Sequence, residues 1–328
     1  MTKVTITDVA NEVGISKTTV SRYLNGQFDR INVKTQAAIQ EAIDRLGYVP
    51  NQQARSLKLK ESKLIGLVVA DMANVYSSYL ISGIQAVLRE QGYSLMMFDS
   101  ANQLTQEKHA IQQVMAANVD GLILQPLAQT SDHYQFLIET SLPVVLVDRQ
   151  TTPAIWPSVT SDNYNASHNM AELLQKRHYN HIIFLDTAGE NPWSNKLRYD
   201  GVSSVSKAHQ MDLTYLQIND HDYHPLLTQL THTTQDVPAI FAANGEILTA
   251  CLRWLKDQQF KIPVDVGIAG YDDSTLGELF NPGITAIEQN PQLIGRTTAE
   301  LLLKRLKEAT GDLEQIEIPS QLVERASI

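Results

Sequence analysis

The chain has 328 residues, 43% of them hydrophobic, with 26 Lys+Arg against 36 Asp+Glu and a formal net charge of −10. That is enough apolar material for more than one domain core, and a single cysteine, Cys251, excludes an intramolecular disulfide framework. No N-terminal stretch has the apolar centre of a signal peptide, and no apolar run approaches the ~20 residues that span a bilayer, so a cytoplasmic protein is expected.

Val4 to Gly26, VTITDVANEVGISKTTVSRYLNG, reads as two short helices joined by a tight turn. Val9, Ala10 and Val13 recur at helical spacing, Gly14 breaks the run, and Ser16 is an N-cap for a second helix that turns Val20 and Leu24 inward. Lys17, Thr18, Ser21 and Arg22 then share the opposite face. The pattern fits an ordinary surface helix pair as well as a helix-turn-helix, whose second helix enters the major groove. On the second reading Lys17 and Thr18 meet base edges, and Ser21 and Arg22 meet phosphates or a guanine edge. Thr5, Ser16 and Asn25 are counted with them as DNA contacts.

Asn32 caps a third predicted helix with Ile39, Ala42, Ile43 and Leu46 at i, i+3, i+4 and i+7, and Gly47 stops it. Three small helices make an all-α headpiece over residues 1–50. Residues 51–62 follow as a basic linker, too short and polar for a stable helix alone. The first 63 residues carry ten Lys/Arg against six Asp/Glu, a net of +4, whereas the remainder holds 16 against 30, a net of −14. A basic head on an acidic body suits phosphate contacts made by the head alone.

From Lys63 onward, LIGLVV, YSLMMF, VDGLIL and PVVLV, then HIIFLD, LTYLQI, PAIFAA and VGIAGY, alternate with helical patterns. Strands interleaved with helices indicate parallel sheets in an α/β core over 63–328. The spacing predicts one lobe at about 63–159 plus 289–311, including a helix from about Pro291 to Ala309, and a second at about 160–288 plus 312–328. Ligands of such sheets lie beyond the carboxyl ends of the strands. The loops to watch are Asp71 to Tyr76, Asp148-Arg149, Asn191 to Arg198, Asn244 to Glu246 and Tyr271 to Asp273.

DVA, GIS, TVSRYLNG, LGYVPN and ARSL occur in order at characteristic spacings, followed by IGLVV, VDGLIL, VVLVDR, SDNYNAS, Gly270-Tyr271-Asp272-Asp273 and QLVERASI. Over essentially its whole length the chain resembles the LacI/GalR transcription regulators. That resemblance implies a periplasmic-binding-protein-like core of two lobes around a ligand cleft. It also implies a hinge helix at Asn51 to Leu59 that folds on DNA, with Asn51, Ala54 and Arg55 at the DNA and Leu57 as a minor-groove wedge. Arg198, Asn244 and Asp272 then stand where sugar hydroxyls or carboxylates are gripped, Tyr76 and Trp193 supply flat walls, and Gln289 joins the site.

The family's usual Asn-Asp is Asn244-Gly245 here, and its Asn-Pro-aromatic-aromatic is Asn74-Val75-Tyr76-Ser77. With that carboxylate gone and Arg149, Lys196 and Arg198 nearby, the expectation is a net-positive pocket favouring a sugar acid. Asp148 is read as a partner of Arg149. His178 with His181 and His221 with His224 lack the further ligands a metal site needs, so no metal or other cofactor is expected. The sequence lacks a Gly-rich phosphate loop and a nucleophile elbow, which argues against an enzyme. A solute-binding protein would carry an export signal and no headpiece; control by a phosphoprotein partner stays open. The expected protein is a repressor that binds operator DNA and a sugar or sugar-acid effector. The chain ends at Ile328 without a heptad extension, which points to a homodimer.

Overall fold

The computed structural model describes residues 4–49, 61–187, 193–218, 222–232, 237–272, 277–308 and 312–328. It divides into two compact units, Met1–Ser62 and Lys63–Ile328.

In the first unit, α1 (Ile6–Val13), α2 (Lys17–Leu24) and α3 (Val33–Leu46) are each bounded by a local signal. The Thr5 N–H and hydroxyl both donate to the Asp8 carboxylate, at 2.8 and 2.7 Å, and these bonds hold that carboxyl below its ordinary pKa. Gly14, at φ 71°, ends α1 in the left-handed region, where a side chain would be strained. Ser16 Oγ accepts the Thr19 N–H at 3.2 Å to start α2, and Asn32 Oδ1 accepts the Thr35 N–H at 2.8 Å to start α3. Val9, Ala10, Val20, Ile39 and Ala42 form the buried centre, ringed by Ile6, Val13, Leu24, Ile43 and Leu46. An Arg45–Glu12 ion pair and a 2.8 Å bond from the Tyr23 hydroxyl to Gln40 bind α3 to the other two helices.

The second unit contains two six-stranded sheets. The first has the order β11-β5-β4-β3-β1-β2, and every pairing in it is parallel. Its strands are β1 (Leu64–Val69), β2 (Ser94–Asp99), β3 (Gly121–Leu124), β4 (Val144–Val147), β5 (Ser158–Ser161) and β11 (Gln315–Ile318). The second has the order β12-β10-β9-β8-β6-β7 and is parallel except where β12 meets β10. It comprises β6 (His181–Thr187), β7 (Asp212–Ile218), β8 (Ala239–Ala242), β9 (Gly267–Tyr271), β10 (Thr285–Glu288) and β12 (Gln321–Val323).

The central strands are apolar throughout because helices cover both faces of each sheet; edge strand β2 is buried only at intervals. On the first sheet, α4 (Val75–Glu90) and α11 (Pro291–Lys307) cross on one face. A Cβ at Gly83 would stand 2.1 Å from the Gln292 carbonyl oxygen, and one at Gly295 would stand 2.2 Å from that of Leu80, so both positions must be glycine for the two backbones to touch. The opposite face packs α5 (Leu104–Ala116) through Ile111 and Val114, and a short helix, α6 (Gln135–Ile138), through Leu137. The second sheet is covered by α7 (Asn163–Lys176), α8 (Trp193–His209), α9 (His224–His232) and α10 (Gly245–Asp257), around a core centred on Phe184, Phe241 and Tyr271.

Every strand read from the sequence is present, and four short ones, β5, β10, β11 and β12, were not foreseen. One expectation fails in detail. Residues 312–328 do not all return to the second lobe, because Gln315–Ile318 pairs in parallel with Ser158–Ser161 and extends the first sheet. The chain therefore passes between sheets three times: from β5 to α7, from β10 to α11 and from β11 to β12. Two of these passages are tied together, since Asp162 Oδ1 accepts the Ser320 N–H at 2.8 Å and the Ser161 and Ser320 hydroxyls lie 3.2 Å apart. No helix among the described residues is long and apolar enough to cross a membrane.

Candidate functional site

Two regions concentrate chemistry. On the headpiece, the N-cap at Ser16 points the start of α2 outward, leaving Lys17 and Thr18 exposed, while Ser21, Arg22 and Asn25 are half-buried one and two turns on. Asn25 Nδ2 lies 3.5 Å from Ser21 Oγ, and its own Oδ1 is buried without a partner. Thr5 and Ser16 carry the helix caps already described. Asn51, Ala54, Arg55 and Leu57 lie outside the described residues.

The second region is a cavity of about 610 Å³ where the carboxyl ends of the two sheets converge. The first lobe contributes Asp71, Asn74 and Tyr76 after β1, the start of α5 after β2, Gln125 and Leu127 after β3, and Asp148 and Arg149 after β4. The second contributes Asn195 and Arg198 from α8, Asn244 and Glu246 after β8, Asp272 after β9 and Gln289 after β10.

Arg198 is held on three sides. Its Nε donates to Asn163 Oδ1 at 2.8 Å, an Nη donates to the Ala243 carbonyl at 2.7 Å, and the guanidinium rests 3.7 Å above the Tyr271 ring. The side chain is 4% exposed, so its direction is set before any ligand arrives. Asp272 faces it and accepts a hydrogen bond from the Gln289 amide. Burial pushes the Asp272 carboxyl above its ordinary pKa, against the opposing pull of Arg198. Gly245 leaves this contact room, because a Cβ there would lie 3.1 Å from that of Asp272.

The first lobe repeats the arrangement. Asp148 accepts from Gln125 Nε2 at 2.7 Å, and Gln125 Oε1 accepts the Ala70 N–H at 2.9 Å. Asp148 and Asp272 each end a strand with φ in the left-handed region, at 66° and 63°, a conformation that non-glycine residues hold only where the surroundings impose it. Near both carboxylates lies the buried Tyr76 hydroxyl, and burial, followed by the charge and nearness of Asp148, raises its pKa well above the ordinary value.

Tyr76, Arg149, Arg198, Asn244, Asp272 and Gln289 are thus brought to one cavity. Asn244 Oδ1 is engaged as the cap of α10, accepting the Ile247 N–H at 3.0 Å, so its amide group is the part left for a ligand. Trp193 and Lys196 are not among the lining residues. The reason is helical phase: with Ser194, Asn195 and Arg198 turned inward, Lys196 is exposed and pairs with Asp200 at 2.5 Å. The expected net-positive pocket also gives way, since Arg149 and Arg198 share the lining with Asp71, Asp148, Glu246 and Asp272.

Gln125 and Asn163 were missed by the sequence reading, and Asn195 lay inside the Asn191 to Arg198 loop without being singled out. Gln125 directly follows the β3 run and was within reach of the strand-end rule. Asn195 is held by a 2.7 Å bond to buried Asp186, which also accepts from the Tyr215 hydroxyl at 3.0 Å, an arrangement with no local signature. Among the described residues no three potential metal ligands of the His, Cys, Asp or Glu type come together.

Residues 5–51 match the model of bacterial regulatory proteins of the lacI family, and residues 171–328 match a periplasmic binding protein-like domain. The HTH-type transcriptional regulator KdgR of Bacillus subtilis is 32% identical over 331 residues, covering 99% of this chain and 97% of that one. Among solved structures, the lac repressor dimer bound to operator and an anti-inducer superposes with a TM-score of 0.85 at 24% identity, covering 99% of each chain, a likeness of fold. A LacI family regulator from Enterococcus faecalis with bound ribose gives 0.71 at 26% identity, over 80% of this chain and 98% of that one.

Proposed function

The chain belongs to the LacI family of bacterial regulatory proteins, and on that premise we propose a ligand-responsive repressor of carbohydrate-utilisation genes. It is a regulator that binds operator DNA, and not an enzyme. In this reading residues 1–50 read DNA, 51–62 form the hinge, and 63–328 bind effector and pair two copies in the cytoplasm.

Two recognition helices of a homodimer enter successive major-groove turns of a roughly palindromic operator. Lys17 and Thr18 reach base edges, Thr5, Ser16, Ser21, Arg22 and Asn25 complete the contacts, and the hinge places Asn51, Ala54 and Arg55 at the DNA with Leu57 as wedge. The observation that carries the effector half is the polar interlobe cavity, in which buried Arg198 and the Asp272–Gln289 pair are held ready for a ligand rich in hydroxyls. The ribose held by the Enterococcus faecalis relative supports a sugar-class ligand. With carboxylates outnumbering arginines in the lining, a neutral sugar fits as well as a sugar acid. Closure of the lobes on the ligand changes operator affinity by a coupling energy of ~1–3 kcal/mol.

Gel retardation of the protein's own promoter region, titrated with neutral sugars and with sugar acids, tests the proposal. Release or tightening of a specific complex by one class supports it and identifies the class; no specific complex at moderate salt would refute it.

A further inference from the structure

Beneath the cavity wall lies a carboxylate that the reading above does not use. Glu107, on α5, has no exposed surface. Its Oε1 accepts the Leu127 N–H at 2.8 Å, and the Tyr134 hydroxyl stands 3.0 Å from both carboxylate oxygens. Tyr134 Oη in turn accepts the Ala128 N–H at 3.0 Å. The first turn of α5 lines the cavity and so does Leu127, so this one side chain ties two of its walls together.

The nearby cation is Arg149. It lines the cavity, one Nη donates to the Pro126 carbonyl at 3.4 Å, its Nε lies 3.7 Å from Asp148, and that buried Nε makes no hydrogen bond. The guanidinium is thus loosely held, and it and Glu107 bond neighbouring groups of one stretch of backbone, the Pro126 carbonyl and the Leu127 N–H. Of the other titratable groups close by, Lys108 lies over the Phe136 ring and His109 bonds Gln113, whereas His133 packs against Tyr134 with a buried Nε2 that makes no hydrogen bond.

We propose that Glu107 is a positioning residue whose charge state sets how Arg149 and the 126–128 backbone are held, and thereby how strongly the cavity takes an anionic group. This rests on the cavity being the effector site. Ionised, Glu107 draws Arg149 toward the wall. When a proton from solvent binds Oε2, Oε1 still accepts from Leu127, the new O–H donates to the second lone pair of Tyr134 Oη, and Arg149 is released to face a ligand. Burial raises the Glu107 pKa from 4.5 to about 7, opposed by the Leu127 and Tyr134 hydrogen bonds and by Arg149, which brings the change within reach of neutral pH.

The test uses the full chain without effector, labelled with ¹⁵N at leucine and arginine, and follows the Leu127 amide and the Arg149 Nε–H by NMR across neutral pH. Both signals should move with one shared midpoint near 7. Glu107→Gln should abolish both movements, and Arg149→Gln should raise the Leu127 midpoint by removing the cation that favours the carboxylate. Separate midpoints, a silent Arg149 signal or an unmoved midpoint in Arg149→Gln would overturn the proposal. Infrared spectra of the wild-type protein supply a check that no variant's folding can spoil: a buried neutral-carboxyl band must appear as pH falls through the same midpoint, and its absence counts against Glu107. Because no effector is present, failure here leaves the regulator assignment standing, and failure of the sugar titration leaves this result standing.

Discussion

The headpiece and the interlobe cavity solve opposite problems. The headpiece is built around a cluster of five buried small or medium apolar residues and presents its chemistry on the exposed start of α2. The cavity sits at the meeting of two large sheets, and its chemistry is carried by groups such as Arg198 and Gln289 that are almost wholly buried. In the first, local caps set the direction of each helix and solvent neutralises nothing that DNA will not replace. In the second, buried groups such as Arg198 must find their partners in distant parts of the chain. Changes at the cavity should therefore disturb stability and ligand response together, whereas changes on the face of α2 should disturb DNA binding alone.

The largest expected effect is at Arg198. Arg198→Ala leaves the buried Asn163 and Ala243 oxygens without their donor and removes the charge that opposes the burial of Asp272, a loss of ~2–4 kcal/mol by the usual cost of unsatisfied buried groups. Urea unfolding should show that loss, and retardation assays should show effector response abolished; a stable variant that still responds would remove Arg198 from the site. Next is Gly295→Ala, which forces a Cβ against the Leu80 carbonyl and should destabilise the second unit by ~1–3 kcal/mol, with the thermal transition of the headpiece unmoved.

On the other side of the comparison, Ser16→Ala removes the cap of α2 and should lower headpiece stability by ~1 kcal/mol while leaving effector affinity unchanged, as read by calorimetry. Stability against pH offers a gentler probe. Folding raises the Glu107 pKa from 4.5 to about 7, so its neutral form is the one folding favours. Its contribution is fully present below pH 4.5 and is lost as pH rises through 7, and Glu107→Gln should flatten the melting temperature across that window. The smallest effect belongs to Lys196→Ala. Its exposed pair with Asp200 is worth no more than ~0.5 kcal/mol, and effector response should persist because the side chain faces away from the cavity.

The legible parts of the sequence share one property: their signals are local. Ser16, Gly14, Asn32 and Gly47 bound the headpiece helices because a cap is made within four residues, and the eight apolar runs became strands because a doubly covered sheet demands continuous hydrophobicity. Arg198, Asp272 and Arg149, which line the cavity, stood out in the sequence through their places after strands and in the family's motifs. Lys196 was misjudged because proximity in sequence to Arg198 says nothing of helical phase, and that phase is set by which face of α8 packs on the second lobe. The supposed positive charge of the pocket failed for a related reason. Arginines were counted along loops, whereas charge depends on everything that converges, including Asp71 and Glu246 from opposite lobes.

By itself, then, the sequence determined the headpiece helices, the eight apolar strands and their order, the family and several polar residues at strand ends, since these follow from period, capping and motif. The tertiary structure alone decided that β11 returns to the first sheet, that Asp148 and Asp272 adopt matching left-handed conformations, and that Glu107 is buried against Leu127 and Tyr134. Such arrangements depend on partners distant in the chain, from 20 residues apart for Glu107 and Leu127 to 158 for Asp162 and Ser320, and their geometry exists only once the elements that carry them are packed.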